Sequence, residues 1–439
     1  MLSFCQSGRD REVTITGVGV VCPLGIGLRS AWQRLLNGPS ACRSLTPDEL
    51  AGGQLLTRVP GLQLHGAPVD HERVRESCRR LPVLQQLTGD LCSAVLNEPV
   101  LAMTTLALAE ALQQAGLTWS CTQPQRTGVL FGGSKGGLAT AERLQIALRH
   151  SSESAAGLSD AAFAAAFGRA FTTDSAAQLI AQLMQTEGPL ICPVAACATG
   201  LISVLQGAAL IHAGECDLCI VGSADAALRS SVLASFHRLQ VLTRSANAAT
   251  ACRPFDVNRD GFVIGDGAAV LILESRGHAR RRGVRPLAQV LGGGWLSDPT
   301  GITQMNESGG AVAELLSRCR NRTGFVPDVM SLHGTGTETN DLVEARGIVR
   351  ACGDRLPLCF ATKGASGHLL GAAGSVETAL LTAGIVNSRH PGTVNLSSQD
   401  PRCVIPAAAT SGAVSAGAIW GKLSLGFGGH VACGLFRGE

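Results

Sequence analysis

The chain has 439 residues, a formal net charge of +3 and 45% hydrophobic residues, with 54 glycines and no tyrosine. That length admits two or three average domains or one large duplicated one, and the apolar share is ordinary for a globular core. The small, scattered charge, with no basic stripe interleaved with aromatics, argues against nucleic acid as a partner.

The opening segment, MLSFCQSGRDREV, has no apolar signal-peptide core. Glu12–Val21 alternates with β-branched residues and predicts a strand. Gly17 and Gly19 resemble the start of a dinucleotide fingerprint, but Cys22 holds the third glycine's place and no acidic partner follows a second strand. A Rossmann reading is rejected. Leu28–Leu36 reads as a helix, followed by a turn over Asn37–Ser40. Residues 43–98 are the least regular stretch. Within it, His71–Arg80 carries Arg73, Arg75, Arg79 and Arg80; a solvated helix face is the first reading and a patch for an acidic partner the second.

Val100–Gly116 is an Ala- and Leu-rich helix closed by its glycine. Thr127–Phe131 reads as a strand and runs into Gly132–Gly137, GGSKGG, which lacks P-loop spacing; close backbone packing explains its glycines. Leu138–Met184 reads as mostly Ala-rich helix, broken near Ser151–Ser154 and Thr172–Asp174.

Ile191–Gly200, ICPVAACATG, places Cys197 where an apolar run turns into the uncharged helical stretch Leu201–Ile211. At such a corner the free N–H groups and the helix macrodipole favour a thiolate and can hold an oxyanion. Ala195, Ala196, Ala198 and Gly200 leave room for a substrate; the plainer alternative is one more buried structural cysteine among the 16. Gly188–Ile211 carries no charge over a bilayer's length. Pro193 divides it, so it reads as a core strand–helix unit of a soluble protein with no membrane span.

Beyond it come a strand at Leu218–Gly222, a less regular Ala224–Thr250, a turn-rich Arg253–Gly267 and a strand at Ala268–Glu274. Cys216 and Cys219 form a lone CxxC without a second pair, and both read as strand residues. The irregular cysteine spacing suits free thiols in a reducing compartment. Arg276–Arg285 reads as a surface connection, after which the pattern restarts with a strand at Leu287–Leu291, a helix at Gly310–Arg320 and a strand at Val329–Leu332. This alternation predicts an α/β protein with buried parallel sheets, and the restart suggests an internal duplication.

His333 opens HGTGTETND directly after a buried strand, His368 sits in KGASGHLLGAAGSVE, and Phe427 lies between glycines in SLGFGG. Metal binding by the histidines with Glu338 or Asp341 has no ligand spacing behind it. A thiol with two histidines suits acyl transfer: the sulfur holds the acyl group, and the imidazoles donate to a carbonyl gaining charge.

VAACATG, RPFDVNRDGFVIGDGA, HGTGTETND, KGASGHLLGAAGSVE and LGFGGH occur in the order, and near the spacing, found in the β-ketoacyl-ACP synthases, which the chain therefore resembles. These are the condensing enzymes of fatty-acid and polyketide synthesis. The match runs from ITGVGVVCPLG to the C-terminus, with residues 43–98 fitting loosely. The resemblance implies a thiolase-like fold of duplicated βαβαβαββ halves in α-β-α-β-α layers. Residues 1–285 would carry the nucleophile, and residues 286–439 both histidines and a phenylalanine gate.

It further implies that Cys197 takes an acyl chain from acyl carrier protein (ACP), and that His333 and His368 serve decarboxylation of malonyl-ACP. Lys363 would hold the histidines, with Glu377 supporting it. Thr335 and Thr337 would bind pantetheine, and the N–H groups of Cys197 and Phe427 would form the oxyanion hole, with the Phe427 side chain as gate. No metal or redox cofactor is implied, and the expected protein is cytoplasmic and dimeric, with itself or a related subunit. The chain departs from the family pattern at Glu338 (commonly Pro), Asp266 (Glu), Leu425 (Phe) and His430 (in a GGTN ending), around the gate and pantetheine channel. The alternative within the fold is a non-elongating subunit of the chain-length-factor type, which lacks the nucleophile. A degradative thiolase is disfavoured because Cys433 follows GFGGH within a plain strand.

Overall fold

A computed structural model describes residues 1–4, 9–87, 90–151 and 168–439. Ten strands carry the architecture. In the first half they are β1 (Val13–Cys22), β2 (Thr127–Gly132), β3 (Leu190–Ile191), β4 (Leu218–Asp225) and β5 (Gly267–Ser275). In the second they are β6 (Ala288–Ser297), β7 (Val329–Ser331), β8 (Leu358–Phe360), β9 (Ile419–Gly426) and β10 (His430–Arg437). The sheet order is β8-β7-β9-β10-β6-β1-β5-β4-β2-β3.

Numbered within its own half, each set of strands follows the order 3-2-4-5-1, with the fifth strand antiparallel to its neighbours. The duplication suggested by the sequence is therefore present in the topology. The halves join where Ala288–Val290 of β6 pairs antiparallel with Val13–Ile15 of β1.

The helices that set the layers are α1 (Pro99–Ala115), α2 (Ser175–Met184), α3 (Thr199–Ala213), α4 (Gly310–Thr323), α5 (Glu338–Cys352) and α6 (Ala373–Asn387). Helices α1 and α2 cover the outer face of the first half-sheet, and α4 and α5 that of the second. Helices α3 and α6 lie between the half-sheets, giving five layers. A helix with sheets on both sides needs no polar face, and α6 is accordingly buried along nearly its whole length and α3 along most of its own. By length and composition Ala196–Ala213 would suffice to cross a membrane, yet 67% of it is buried inside the protein. The central core draws on both halves, from Val13 and Leu271 to Phe360, Trp420 and Phe436.

Gly17 and Gly19 now have a physical explanation: a Cβ at either would overlap backbone of α1, at Ala111 and Ala107. They let the helix lie directly on β1. The glycines of Gly132–Gly137 also mark close packing, against Pro193, Phe171 and Ala170.

Several sequence expectations shift at their edges. The strand expected at Leu287–Leu291 extends to Ser297. Arg276–Arg285 is more than a surface connection: Arg276–Arg281 is helical, His278 is buried on Glu274 at 2.6 Å, and Arg282 reaches the same carboxylate at 3.0 Å. Cys219 lies in β4, whereas Cys216 precedes that strand, buried beside it. His71–Arg79 is a helix with Asp70 as its N-cap, its arginines outward and Val74 and Cys78 inward. Residues 152–167 of the expected Ala-rich helical stretch lie outside the described residues.

Candidate active site

The corner that holds Cys197 is built from small residues. After β3 the chain makes a short 3-10 turn, Ala196–Ala198, before α3 begins at Thr199. Ala196 holds a left-handed φ of 47°, a conformation that costs a non-glycine residue roughly 1–2 kcal/mol. That sharp turn presents the Cys197 side chain at the start of the helix, much as a nucleophile elbow does. Helix α6 begins beside α3: a Cβ at Gly200 would overlap the Ser375 nitrogen, and one at Gly374 would lie 2.5 Å from the Leu201 nitrogen. Both helix N-termini therefore point at one place.

The second half brings its histidines there. The Cys197 sulfur and one ring nitrogen from each of His333 and His368 lie within 4.8 Å of one another, all three residues buried. The imidazole rings meet edge to face with centroids 5.2 Å apart, and Phe262 packs edge-on against His368 at 4.9 Å. His368 Nδ1 accepts the Leu370 N–H at 3.3 Å, and His333 Nδ1 lies 3.4 Å from the Lys363 ammonium, a donor only. With both Nδ1 atoms accepting, each neutral ring carries its proton on Nε2. Burial, reinforced by Lys363 and the other nearby lysines, holds both imidazoles well below the usual histidine range, so both are neutral.

Beneath the histidines lies a buried charge cluster. Lys363 donates to Glu377 Oε1 at 2.7 Å, and the ammonium of Lys422 sits 2.9 Å from Oε2. Burial pushes the Glu377 carboxyl up, but the two lysines together hold it below its ordinary value. Glu344 clamps the His333 backbone, accepting the N–H groups of His333 and Gly334 at 2.6 Å each. Burial raises the Glu344 carboxyl to about 7.

The site opens into a cleft of about 630 Å³. Cys197, both histidines, Thr335, Thr337 and Phe427 all line it, joined by Phe236, Arg244 and Arg259. Its size is typical of a ligand site. Thr335 and Thr337 are linked hydroxyl to hydroxyl at 2.9 Å. The Gly426–Gly429 turn presses on the Cys197 corner: a Cβ at Gly426 would come within 3.1 Å of the Cys197 nitrogen. Phe427 lines the same cleft as Cys197 and stacks on Phe236, centroids 6.3 Å apart and planes 20° from parallel. At the mouth, Glu338 pairs with Arg402 at 2.6 Å, while Asp266 is buried, accepting from Leu228 N and pairing with His71.

Every site residue predicted from sequence falls in this region or directly beneath it. Lys422, Glu344, Phe236 and Lys135 were not predicted. The signal for Lys422 was available: a single lysine inside the otherwise uncharged strand IWGKLSLG.

The thiol–bis-imidazole set is close enough to suggest three metal ligands. Its chemistry does not fit: Nε2–H groups are donors, and Lys363, Lys422 and Lys135 surround the set with positive charge. The sulfur lies at the helix N-terminus as predicted, yet burial outweighs Lys135 and Lys363 and pushes the Cys197 thiol up to about 11. Its alkylation by iodoacetamide is therefore expected to rise about tenfold per pH unit between about pH 7 and 10, without a plateau. A plateau below about pH 8, followed by peptide mass mapping, would show instead that the helix terminus already holds a thiolate.

Comparison with known proteins agrees with this geometry. The profile of the β-ketoacyl synthase N-terminal domain matches residues 93–279, and that of the C-terminal domain matches residues 287–397. The chain is 31% identical to the mitochondrial 3-oxoacyl-[acyl-carrier-protein] synthase of Arabidopsis thaliana over 409 residues, covering 89% of this chain and 85% of that one. It is 31% identical to 3-oxoacyl-[acyl-carrier-protein] synthase 2 of Vibrio cholerae, covering 88% and 89%. With the tetracenomycin polyketide synthase ketoacyl synthase alpha subunit of Streptomyces glaucescens it shares 30% identity, covering 90% and 89%. Among solved structures, the ishigamide ketosynthase/chain length factor superposes with a TM-score of 0.80 at 26% identity, covering 98% of this chain and 99% of that one. A β-ketoacyl synthase from Burkholderia phymatum superposes with a TM-score of 0.84 at 24% identity, covering 98% and 99%. The duplicated sheet agrees with these comparisons, and the chain belongs to the β-ketoacyl synthase family.

Proposed function

We propose that the protein joins an acyl chain to a malonyl-derived unit on ACP, by decarboxylative Claisen condensation, in type II fatty-acid, polyketide or polyene synthesis. Cys197 attacks the thioester of acyl-ACP; the C–S bond to ACP breaks, a C–S bond to Cys197 forms, and the thiol proton ends on the released pantetheine sulfur. Malonyl-ACP then binds with its thioester carbonyl towards the Nε2–H groups of His333 and His368. Loss of CO2 leaves an enolate whose oxygen these neutral donors meet. The enolate carbon attacks the Cys197 thioester, forming the C–C bond; the C–S bond to Cys197 breaks, the thiolate takes a proton from solvent, and 3-oxoacyl-ACP departs. The N–H groups of Cys197 and Phe427 receive the tetrahedral oxyanion, Thr335 and Thr337 bind the pantetheine arm, and Phe427 gates the acyl side. Lys363 and Glu377 orient the pair of histidines. No step draws on a metal or redox cofactor.

The observation that carries this reading is the convergence of one thiol and two neutral Nε2–H donors in a single cleft. Relatives named for ACP-bound substrates support ACP as carrier. A non-elongating subunit is the weaker reading, since Cys197, His333, Lys363 and His368 are all in place. The protein works as a dimer, with itself or a related subunit; exposed Leu190, Ile191 and Val194 along the β3 edge suit such a contact. Its free thiols suit the cytoplasm.

The test is a single-turnover reaction with acyl-ACP and malonyl-ACP, followed by intact mass, for wild type and Cys197→Ala. The wild type gains the acyl mass and then releases 3-oxoacyl-ACP; the variant does neither. Failure of the wild type to take up any acyl chain, alone or with a partner subunit, would favour the non-elongating reading.

A further inference from the structure

Packing explains the glycines of Gly132–Gly137 but not the lysine among them. The loop is wedged between both catalytic segments. A Cβ at Gly132 would strike Pro193 and Thr199 beside the nucleophile, and one at Gly371, just past His368, would lie 2.8 Å from the Ser134 nitrogen. Asp225, itself buried, fastens the loop: it accepts the Ser134 N–H at 3.2 Å, the Ser134 hydroxyl at 2.6 Å and the Gly371 N–H at 2.6 Å. On this rigid support Lys135 Nζ donates to Ser134 Oγ at 2.6 Å and stands 5.7 Å from the centroid of Phe236. Phe236 is the cleft residue on which Phe427 stacks.

Lys135 is half-buried and forms no ion pair among the described residues. An ammonium has three donors, and Ser134 takes one. Lys363 and Lys422, by contrast, share Glu377 and are spent on it and on backbone carbonyls. The charge of Lys135 acts on both Cys197 and His368. Leu228, Val232, Leu233 and Leu370 belong to the buried apolar cluster that includes Cys197. A saturated chain brought close to Lys135 strips water from the ammonium and returns no acceptor. A chain with an oxygen near the thioester returns one.

We propose that Lys135 is a specificity-determining residue, whose ammonium selects acyl groups bearing a hydrogen-bond-accepting oxygen close to the thioester, 3-oxoacyl chains in particular, over saturated chains of equal length. The selection rests on the acylation of Cys197 proposed above.

Octanoyl-ACP and 3-oxo-octanoyl-ACP make a matched pair, and the rate of adduct formation on Cys197 is read by intact mass for wild type and Lys135→Met. The wild type is expected to acylate with the 3-oxo chain about tenfold faster or more, and the variant to bring the ratio near one, chiefly by speeding the saturated chain. A wild type without preference, or a variant that keeps it, overturns the selection. A second measurement needs no ACP: alkylation of Cys197 by anionic iodoacetate relative to neutral iodoacetamide, mapped by peptide mass. Lys135→Met should lower that ratio about fivefold, and an unchanged ratio overturns the selection. Adducts forming equally from both chains remove the selection alone, whereas no adduct from either removes the synthase reading and the selection with it.

Discussion

His333→Ala is expected to lower formation of 3-oxoacyl-ACP by about 10²–10³-fold, the usual loss when one oxyanion donor is removed, while Cys197 still takes up its acyl chain. The split follows from the tautomer. Lys363 faces His333 Nδ1, so the proton lies on Nε2, which in the proposed reaction serves the enolate, a species absent from the first half-reaction. Single-turnover mass should show the acyl adduct persisting, and labelled malonyl-ACP should show CO2 release falling. Equal loss of both steps would mean that His333 acts instead on the Cys197 thiol. The histidine loop itself should survive, because Glu344 holds its backbone rather than its ring.

Glu377→Leu is expected to destabilise the fold by about 3–5 kcal/mol, read as a shift in the urea midpoint, because it leaves two buried ammonium groups without their counter-charge. Lys363 and Lys422 are fully buried, and among the described residues Glu377 is the one carboxylate both of them pair with. The pH dependence has a definite sign. Glu377 titrates below its ordinary range in the folded protein, so its stabilising share is complete above the unfolded carboxyl pKa and is lost as pH falls through the folded one. A loss under about 1 kcal/mol would mean that the lysines shed their protons rather than lie buried and charged.

The chemistry was legible in sequence wherever it sits in runs of small residues. Cys197, His333, His368 and Phe427 each stand among glycines, alanines or hydroxyl residues, since backbone must approach closely there. Their supports are written differently. Glu344 lies on α5 beyond the motif that it clamps, and nothing local marks it. Lys422 is visible as a charge in an apolar strand, but its partner is set by tertiary structure. In GGSKGG the glycines mark close packing, and nothing local marks the lysine that stands over the cleft residue Phe236. The fold class came from strand–helix alternation and the duplicated halves from the restart after Arg285. The shared core did not, because the strand-to-strand join at Ala288–Val290 and the two-sided burial of α3 and α6 exist only once the halves meet.

The crossing of α3 and α6 at Gly200 and Gly374 brings two like electrical poles together, each equivalent to roughly half a positive charge. Assembly must overcome that repulsion, so the enzyme spends part of its folding stability on a field that awaits an anion. Such a field needs no titratable group and does not fade with pH. Bulkier residues at the crossing would drive carbon into helix backbone, spreading the helices and weakening the attraction for a developing oxyanion. Larger side chains at this contact should therefore cost stability and rate together, a coupling rooted in the geometry by which the two halves meet.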